Sequence, residues 1–180
     1  MAAAACSVIR LGPSDAARYV PLRREMLENS PWAFGATLAD DKGLDVLTVE
    51  RRLTDPENAI FAIERPRESD PSDDAAHLIA VAGILRLKPA KFAHRARIWG
   101  VFVSPPYRGQ GLGRLVVEAA LELARSWPGV DFVDIGVSEN SPEAQRLYES
   151  LGFRAWGRQP QVTQYADARY DEIYLSLRLG

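Results

Sequence analysis

The sequence predicts a mixed α/β fold in a single domain that spans residues 1–180. Strand-like apolar runs occur at residues 78–87 and 95–103. From Leu112, apolar residues recur at the three- and four-residue spacing of an amphipathic helix. Apolar residues make up 47% of the chain and charged residues 26%, which is enough apolar material for one ordinary core.

The first part of the chain is predicted to be helical. Ser14 and Asp15 can cap a helix that runs towards Glu28, and Pro21 should kink this helix or restart it. A second, shorter helix fits residues 45–53, because an Asp-Pro pair follows it.

A hairpin is predicted after these helices. The apolar runs at residues 60–63 and 78–87 are both strand-like. Between them, residues 65–74 are polar and contain two prolines. This segment is therefore expected to be a solvated loop within one domain, not a linker between two domains.

The second half of the chain predicts strands and helices in alternation. The elements are, in order, a strand at 95–103, a helix at 112–127, a strand at 132–137, a helix at 142–150 and a strand at 173–179. Ser141 can cap the second of these helices, and apolar residues at every second position support the last strand.

Composition argues against several classes of function. The net charge of -2 offers no basic surface for nucleic acid or an anionic membrane, and no apolar run reaches the length of a transmembrane helix. The single cysteine, Cys6, cannot form an internal disulfide, and His77 and His94 lack the spacing of metal ligands. We therefore expect a cytoplasmic protein without a metal site.

The turn after residues 95–103 predicts an anion site. Gly109, Gly111 and Gly113 occupy every second position and open the helix that follows. Glycines let the backbone approach a ligand closely, and the first N–H groups of a helix have no partner within it. Together with the positive end of the helix dipole, these N–H groups favour a phosphate or pyrophosphate, and Arg108 can add a charge-assisted contact.

Two familiar phosphate-binding motifs do not fit this turn. A Walker A loop requires Gly-Lys-Ser/Thr, whereas Gly113 is followed by Arg114 and Leu115. A dinucleotide fingerprint requires Gly-x-Gly-x-x-Gly and an acidic residue after the next strand, but Asp131 and Asp134 come at its start or inside it. A P-loop nucleotide-binding protein is therefore nearly excluded.

The chain resembles the GNAT superfamily of acetyltransferases in two blocks. Residues 108–113 read Arg-Gly-Gln-Gly-Leu-Gly, which matches the family's Arg/Gln-x-x-Gly-x-Gly/Ala signature. The family's second well-known block is matched, in the same order and spacing, by Asn140, Ala144, Leu147, Tyr148, Gly152 and Phe153. The resemblance is specific over about residues 95–155 and loose elsewhere.

This resemblance implies a GNAT-like fold, with a mixed, mostly antiparallel central sheet flanked by helices. Two neighbouring parallel strands are expected to splay apart and to hold the pantetheine arm of acetyl-CoA, with its pyrophosphate on the glycine-rich turn. The cofactor-binding residues implied in this way are Val101, Phe102, Val103, Arg108, Gly109, Gln110, Gly111, Leu112, Gly113, Arg114, Asn140 and Tyr148.

The resemblance also implies a mechanism. An amine attacks the thioester directly in a ternary complex, and a backbone N–H near Val101 donates to the tetrahedral oxyanion. Tyr148 matches the general acid that protonates the departing thiolate. From the residues alone, Tyr148 can also be explained as a packed aromatic side chain beside Leu147.

The sequence does not assign a base or an acceptor pocket. Candidate bases, each also explained as a solvated or salt-bridged carboxylate, are Glu25, Glu28, Glu139 and Glu172. Candidate pocket walls, for each of which core packing is the stronger explanation, are Phe34, Trp99 and Tyr170.

The predicted function is acetyl transfer from acetyl-CoA to an amine, which can belong to a small molecule or to a peptide. The alternative is a catalytically silent acyl-CoA-binding module with a sensing or regulatory role. The presence of both Tyr148 and Asn140 favours the active enzyme. A homodimer is possible, and the identity of the acceptor stays open.

Overall fold

A computed structural model describes residues 7–65 and 77–180 of the chain. Within these residues, seven strands form one sheet, and four α-helices cover its two faces. The strands are β1 (Val8–Arg10), β2 (Asn58–Glu64), β3 (Leu78–Arg86), β4 (Arg95–Val103), β5 (Phe132–Ser138), β6 (Arg154–Tyr165) and β7 (Ala168–Arg178). The helices are α1 (Ala16–Asn29), α2 (Val46–Leu53), α3 (Leu112–Ser126) and α4 (Pro142–Ser150).

The predicted mixed sheet is confirmed. Its strand order is β1-β2-β3-β4-β5-β7-β6, and every neighbouring pair is antiparallel except β4 and β5. These two parallel strands pair only where residues 95–97 meet residues 132–134. Beyond this short ladder the strands separate and leave a V-shaped gap in the middle of the sheet.

A bulge in β4 explains why the gap opens. Trp99 pairs with Gly83 and Phe102 with Val81, so two residues of β4 stand opposite one residue of β3. Gly100 takes a positive φ of 61° at this point, which glycine adopts without steric strain. A bulge bends its strand and increases the local twist, so β4 turns away from β5 above residue 97.

An ion pair joins the two strands at the closed end of the gap. The Arg95 guanidinium donates from Nε to Asp134 Oδ2 at 2.7 Å and from Nη2 to Asp134 Oδ1 at 2.5 Å. The Ser176 hydroxyl of β7 donates to the same carboxylate. Burial opposes ionisation of Asp134, but these donors outweigh it and lower the pKa of its carboxyl group. This ion pair therefore holds β4 and β5 together at the closed end of the gap.

The core lies on both faces of the sheet. On one face, α3 packs its apolar side chains on β2, β3 and β4, around Val116, Ala120 and Ile84. On the other face, α1 and α2 pack Tyr19 and Val49 against β2 and β3. The helices α1 and α2 cover mainly this half of the second face, while β5 and β6 contact the short segment Pro31–Ala33 that follows α1.

Several predicted elements differ from the observed ones. The strands β1 and β6 were not predicted, and β7 begins at Ala168, not at residue 173. Pro21 lies within α1 and does not interrupt it. A proline has no N–H, so the Ala17 carbonyl group loses its donor within the helix. Because Ala17 and Pro21 face solvent, water can bond this carbonyl group instead. Neither Asp15 nor Ser141 makes a capping hydrogen bond with its side chain.

The predicted hairpin is confirmed in its strands. β2 and β3 pair antiparallel, and the Arg65 N–H donates to the His77 carbonyl oxygen at 2.8 Å. The predicted loop at 65–74 falls almost entirely on residues outside the described part of the chain, as does Cys6.

Candidate active site

A cavity of about 410 Å³ lies beside the open end of the gap. Its walls are the end of β4, the glycine-rich turn, the start of α3, helix α4 and the segment after α1. All twelve residues predicted to bind the cofactor line this cavity except Gln110. The exposed Gln110 side chain instead donates to the Pro106 carbonyl oxygen at 3.4 Å.

The glycine-rich turn presents its backbone to the cavity. Gly109 and Gly111 have φ values of 74° and 82°, a conformation that strains other L-residues. No heavy atom lies within 4 Å of the position that a Cβ would take at either glycine, so conformation and not internal packing requires glycine there. Gly111 directly precedes α3 and supplies no side-chain cap.

Five consecutive N–H groups of the turn, at residues 109–113, donate no backbone hydrogen bond within the described chain. The next N–H group, on Arg114, donates to the Gly111 carbonyl oxygen at 3.1 Å and is therefore not available to a ligand. Free N–H groups at the positive end of a helix form an anion site, and a pyrophosphate has the charge and size for it.

The arginines of the turn already have partners. Arg108 donates from Nε to the Val103 carbonyl oxygen at 2.9 Å and from Nη2 to Asn29 Oδ1 at 2.6 Å. Arg114 donates from Nη2 to Ser150 Oγ at 2.6 Å. Arg108 therefore joins the turn to β4 and α1, while Arg114 joins α3 to α4.

A second cavity, of about 80 Å³, lies inside the gap itself. It is lined by β4 at Trp99 and Val101 and by residues 135–138 of β5. Phe34, Val101 and Tyr148 line both cavities, so the two spaces meet at these side chains. A ligand arm in the larger cavity can therefore face a second molecule in the smaller one.

Tyr148 lies at this junction as a buried side chain of α4. It is 4% exposed, and its ring packs against Phe153 with 6.0 Å between the centroids. Burial raises the pKa of the Tyr148 hydroxyl, and the Glu143 carboxylate raises it further. The hydroxyl is therefore protonated at neutral pH and can donate a proton or a hydrogen bond.

Asn140 is the other polar residue of the second sequence block. It is exposed, lies just before α4 and lines the larger cavity opposite the glycine-rich turn. Its backbone N–H donates to Ser138 Oγ at 3.4 Å, while its side-chain amide has no hydrogen-bond partner among the described residues. The amide can therefore pair with a ligand.

The structure separates three of the four candidate bases from the gap. Ser104 donates to Glu25 Oε2 at 2.9 Å, and Glu28 is exposed on α1. Glu139 accepts from Arg158 at 2.6 Å and from the Asp171 N–H at 2.9 Å, so both of its oxygens are occupied.

Glu172 is the candidate base that lies against Gly136, although it lines neither cavity itself. Its Oε1 is 2.2 Å from the point that a Cβ on Gly136 would occupy, so the carboxylate lies directly on the Gly136 backbone. Gly136 lines the smaller cavity. The Tyr174 hydroxyl donates to Glu172 Oε2 at 2.8 Å, which leaves Oε1 available. A glycine inside a strand often marks such a close approach, so Gly136 was the signal in the sequence.

The three aromatic candidates divide in the same way. Phe34 lines both cavities and Trp99 lines the smaller one. Tyr170 pairs with Thr163 in the β6–β7 hairpin and lines neither cavity. The sequence also missed Tyr174, whose ring stacks on Trp156 at a centroid distance of 5.6 Å.

Within the described residues, no three side chains of His, Cys, Asp or Glu come together as possible metal ligands. Residues 7–65 and 77–180 contain no helix that is long and apolar enough to cross a membrane.

Solved structures share this fold. An acetyltransferase of the GNAT family from Streptococcus pneumoniae superposes with a TM-score of 0.78 at 16% identity, over 97% of this chain and 99% of that chain. YncA, a putative acetyltransferase from Salmonella typhimurium solved with acetyl-CoA, superposes with a TM-score of 0.79 at 18% identity, over 98% and 95% of the two chains. At these identities the likeness concerns the fold, and it confirms the predicted architecture.

Sequence comparison identifies more specific relatives. A mycothiol acetyltransferase from Salinispora arenicola is 33% identical over 85% of this chain and 57% of its own length. The peptidyl-lysine N-acetyltransferase YjaB from Salmonella typhimurium is 40% identical over 32% of this chain and 36% of its own length. The chain thus spans little more than half of one relative and about a third of the other. A model of the acetyltransferase (GNAT) family matches residues 26–153, most of the chain, and the chain therefore belongs to this family.

Proposed function

We propose that the chain transfers an acetyl group from acetyl-CoA to an amine. The observation that supports this most is the row of five N–H groups without a backbone partner at residues 109–113, because four of these residues, all except Gln110, line a cavity that reaches the open gap. A pyrophosphate on this row would direct the rest of acetyl-CoA along the larger cavity. Its thioester would then lie near Val101 and Tyr148, where the two cavities meet.

The backbone of β4 is suited to hold the pantetheine arm. Beyond Arg97 this strand has no partner on its β5 side, so its peptide groups can pair with the amides of the arm. The Asn140 side chain offers a further donor and acceptor from the opposite wall. The residues present therefore fit acetyl-CoA as a substrate.

Three groups of the chain have roles in the proposed reaction. The amine nitrogen bonds to the thioester carbon, and the C–S bond breaks as the tetrahedral intermediate collapses. Val101 lies in the bulge without a partner in the β3 ladder, so its N–H can donate to the oxyanion. Tyr148 gives its proton to the departing thiolate. Glu172 accepts the proton that the amine loses, because its Oε1 lies against Gly136, which lines the smaller cavity.

A titration of cofactor binding followed by a turnover assay tests this function. Acetyl-CoA should raise the melting temperature, while ATP and NAD at the same concentration raise it much less, because only acetyl-CoA has an amide-bearing arm. Release of free thiol from acetyl-CoA should then depend on an added amine.

Two results would contradict the proposal. A larger shift with ATP or NAD would remove the assignment of the larger cavity to acetyl-CoA. Tight binding of acetyl-CoA without turnover, across a broad panel of amines, would favour the silent acyl-CoA-binding module.

A further inference from the structure

The sheet face at β4, β5 and β7 carries a pattern of charge that bears on the acceptor. Arg97, Trp99, Asp134 and Gly136 lie on one face of β4 and β5, and Tyr174 and Glu172 of β7 continue it. Asp134 is neutralised by Arg95. The charged groups near Gly136 and Trp99 are therefore the Glu172 carboxylate and two arginine guanidinium groups.

Two guanidinium groups, those of Arg52 and Arg97, lie on the Trp99 side of the sheet. Neither forms a salt bridge within the described residues, although Arg97 helps to lower the pKa of the Asp134 carboxyl group. The Arg52 guanidinium of α2 lies 5.3 Å from the centre of the Trp99 ring. Arg97 precedes Trp99 by two residues on the same strand, is exposed, and is close enough to Tyr174 to lower the pKa of its hydroxyl, against the upward effects of burial and Glu172. The Trp99 Nε1–H is buried without an acceptor.

The two guanidinium groups are donors without a hydrogen-bonded acceptor in the described chain. Guanidinium groups pair well with carboxylates and phosphonates, which have the charge and the oxygen geometry to match them. Neither arginine lines the smaller cavity, but Trp99 does, so an oxyanion held beside the Trp99 ring would lie at the edge of this cavity.

The smaller cavity, of about 80 Å³, is partly open to solvent. It can hold the amino group while the rest of the acceptor extends outside it. A chain with several amines and no anion would place its other positive charges beside Arg52 and Arg97.

We propose that the acceptor is a small amine that also carries an oxyanion group, either a carboxylate or a phosphonate. Arg52 and Arg97 hold this group beside Trp99. Glu172, on the other side of Gly136, faces the amino group. This inference rests on the proposed acetyl transfer and names the class of its acceptor.

The first experiment compares acceptors that differ only in the oxyanion. Initial rates are measured with acetyl-CoA and α-amino acids, their carboxamides, the matching aminoalkylphosphonates and spermidine. We expect kcat/KM for the carboxylate or the phosphonate to exceed that for the carboxamide by about tenfold or more, because the amide leaves the guanidinium groups without a charged partner. The two acids distinguish the possible oxyanions.

The second experiment uses three arginine variants with those acceptors. Arg52→Gln and Arg97→Gln should each raise KM for the acid about tenfold and leave KM for the carboxamide unchanged. Arg51→Gln is the matched control, since Arg51 is exposed and adjacent to Arg52 on α2. If Arg52 only supports the Trp99 ring, its replacement should impair both acceptors equally.

The outcomes separate this inference from the proposed function. Carboxamides or spermidine acetylated as well as the acids, or an unchanged preference in both arginine variants, would overturn the inference and leave acetyl transfer intact. Failure of every amine to release thiol from bound acetyl-CoA would overturn both.

Discussion

The two sides of the gap bind their proposed ligands by different means. On the α3 side, the glycine-rich turn offers backbone N–H groups from five consecutive residues, 109–113. On the other side, Trp99 and Gly136 line the smaller cavity, Arg52 lies over the Trp99 ring and Glu172 lies against Gly136, so the side chains come from three separate elements. The backbone groups of the turn would bind the pyrophosphate of acetyl-CoA, which is the same whatever the acceptor. The side chains on the acceptor side can change without disturbing the turn. This division lets one fold keep its donor and vary its acceptor.

The comparison predicts that the largest single effect belongs to the turn. Gly111→Val places a β-branched residue at a φ of 82° and should weaken acetyl-CoA binding at least about a hundredfold, because the N–H groups lose their alignment. Isothermal titration measures this affinity.

Gly129→Val is the matched control for Gly111→Val. Gly129 has a φ of 74° but lies after α3, away from both cavities, so its variant should lose stability and retain affinity. Equal affinity in the two variants would place the pyrophosphate elsewhere.

Tyr148 lies between the two sides and should affect chemistry without affecting binding. Tyr148→Phe keeps the ring that packs on Phe153 and removes only the hydroxyl. We expect kcat to fall about a hundredfold at neutral pH, the lower end for a general acid, because a thiolate is already a fair leaving group. Acetyl-CoA affinity should stay nearly constant, since the lost interaction exists mainly in the transition state.

The pH dependence of the Tyr148→Phe effect separates the acid from a packing residue. The ratio of wild-type to variant kcat should shrink above about pH 8.5, where a free thiolate no longer needs a proton. A ratio near one at neutral pH, with chemistry rate-limiting, would leave Tyr148 as a packing or positioning residue.

The smallest of these effects is expected on the acceptor side. Glu172→Gln should lower kcat/KM for the amine about tenfold at neutral pH and less at high pH, where more of the amine is already neutral. Acetyl-CoA affinity should not change. Glu28→Gln, an exposed carboxylate on α1, is the control and should behave as wild type. A pH profile shared by both variants would exclude Glu172 as the base.

The residues expected on the donor side lie close together because that side is local. The family resemblance implied residues in three short continuous segments, 101–103, 108–114 and 140–148, and eleven of the twelve line one cavity. The fold followed from the same blocks, together with the alternation of strands and helices. Arg108 was the main difference, since it contacts Val103 and Asn29 and not an open anion site.

The sequence predicted the acceptor side poorly because that side is assembled from distant segments. Four carboxylates looked alike as candidate bases, and only strand register placed Glu172 on Gly136. Tyr170 and Tyr174 are both aromatic residues of β7, yet only Tyr174 reaches Glu172. The strand β6 escaped prediction because most of it is exposed and it lacks the alternation of a half-buried strand.

By itself, the sequence determined the family, the glycine-rich turn before α3 and the place of Tyr148 in the second block. These depend on backbone conformation and short-range spacing, which neighbouring residues decide. Only the tertiary structure decided where the sheet opens, which carboxylate faces the gap and which arginines lack partners. The physical reason is that the bulge at Gly100, the register of β7 and the position of α2 depend on contacts between residues far apart in the chain.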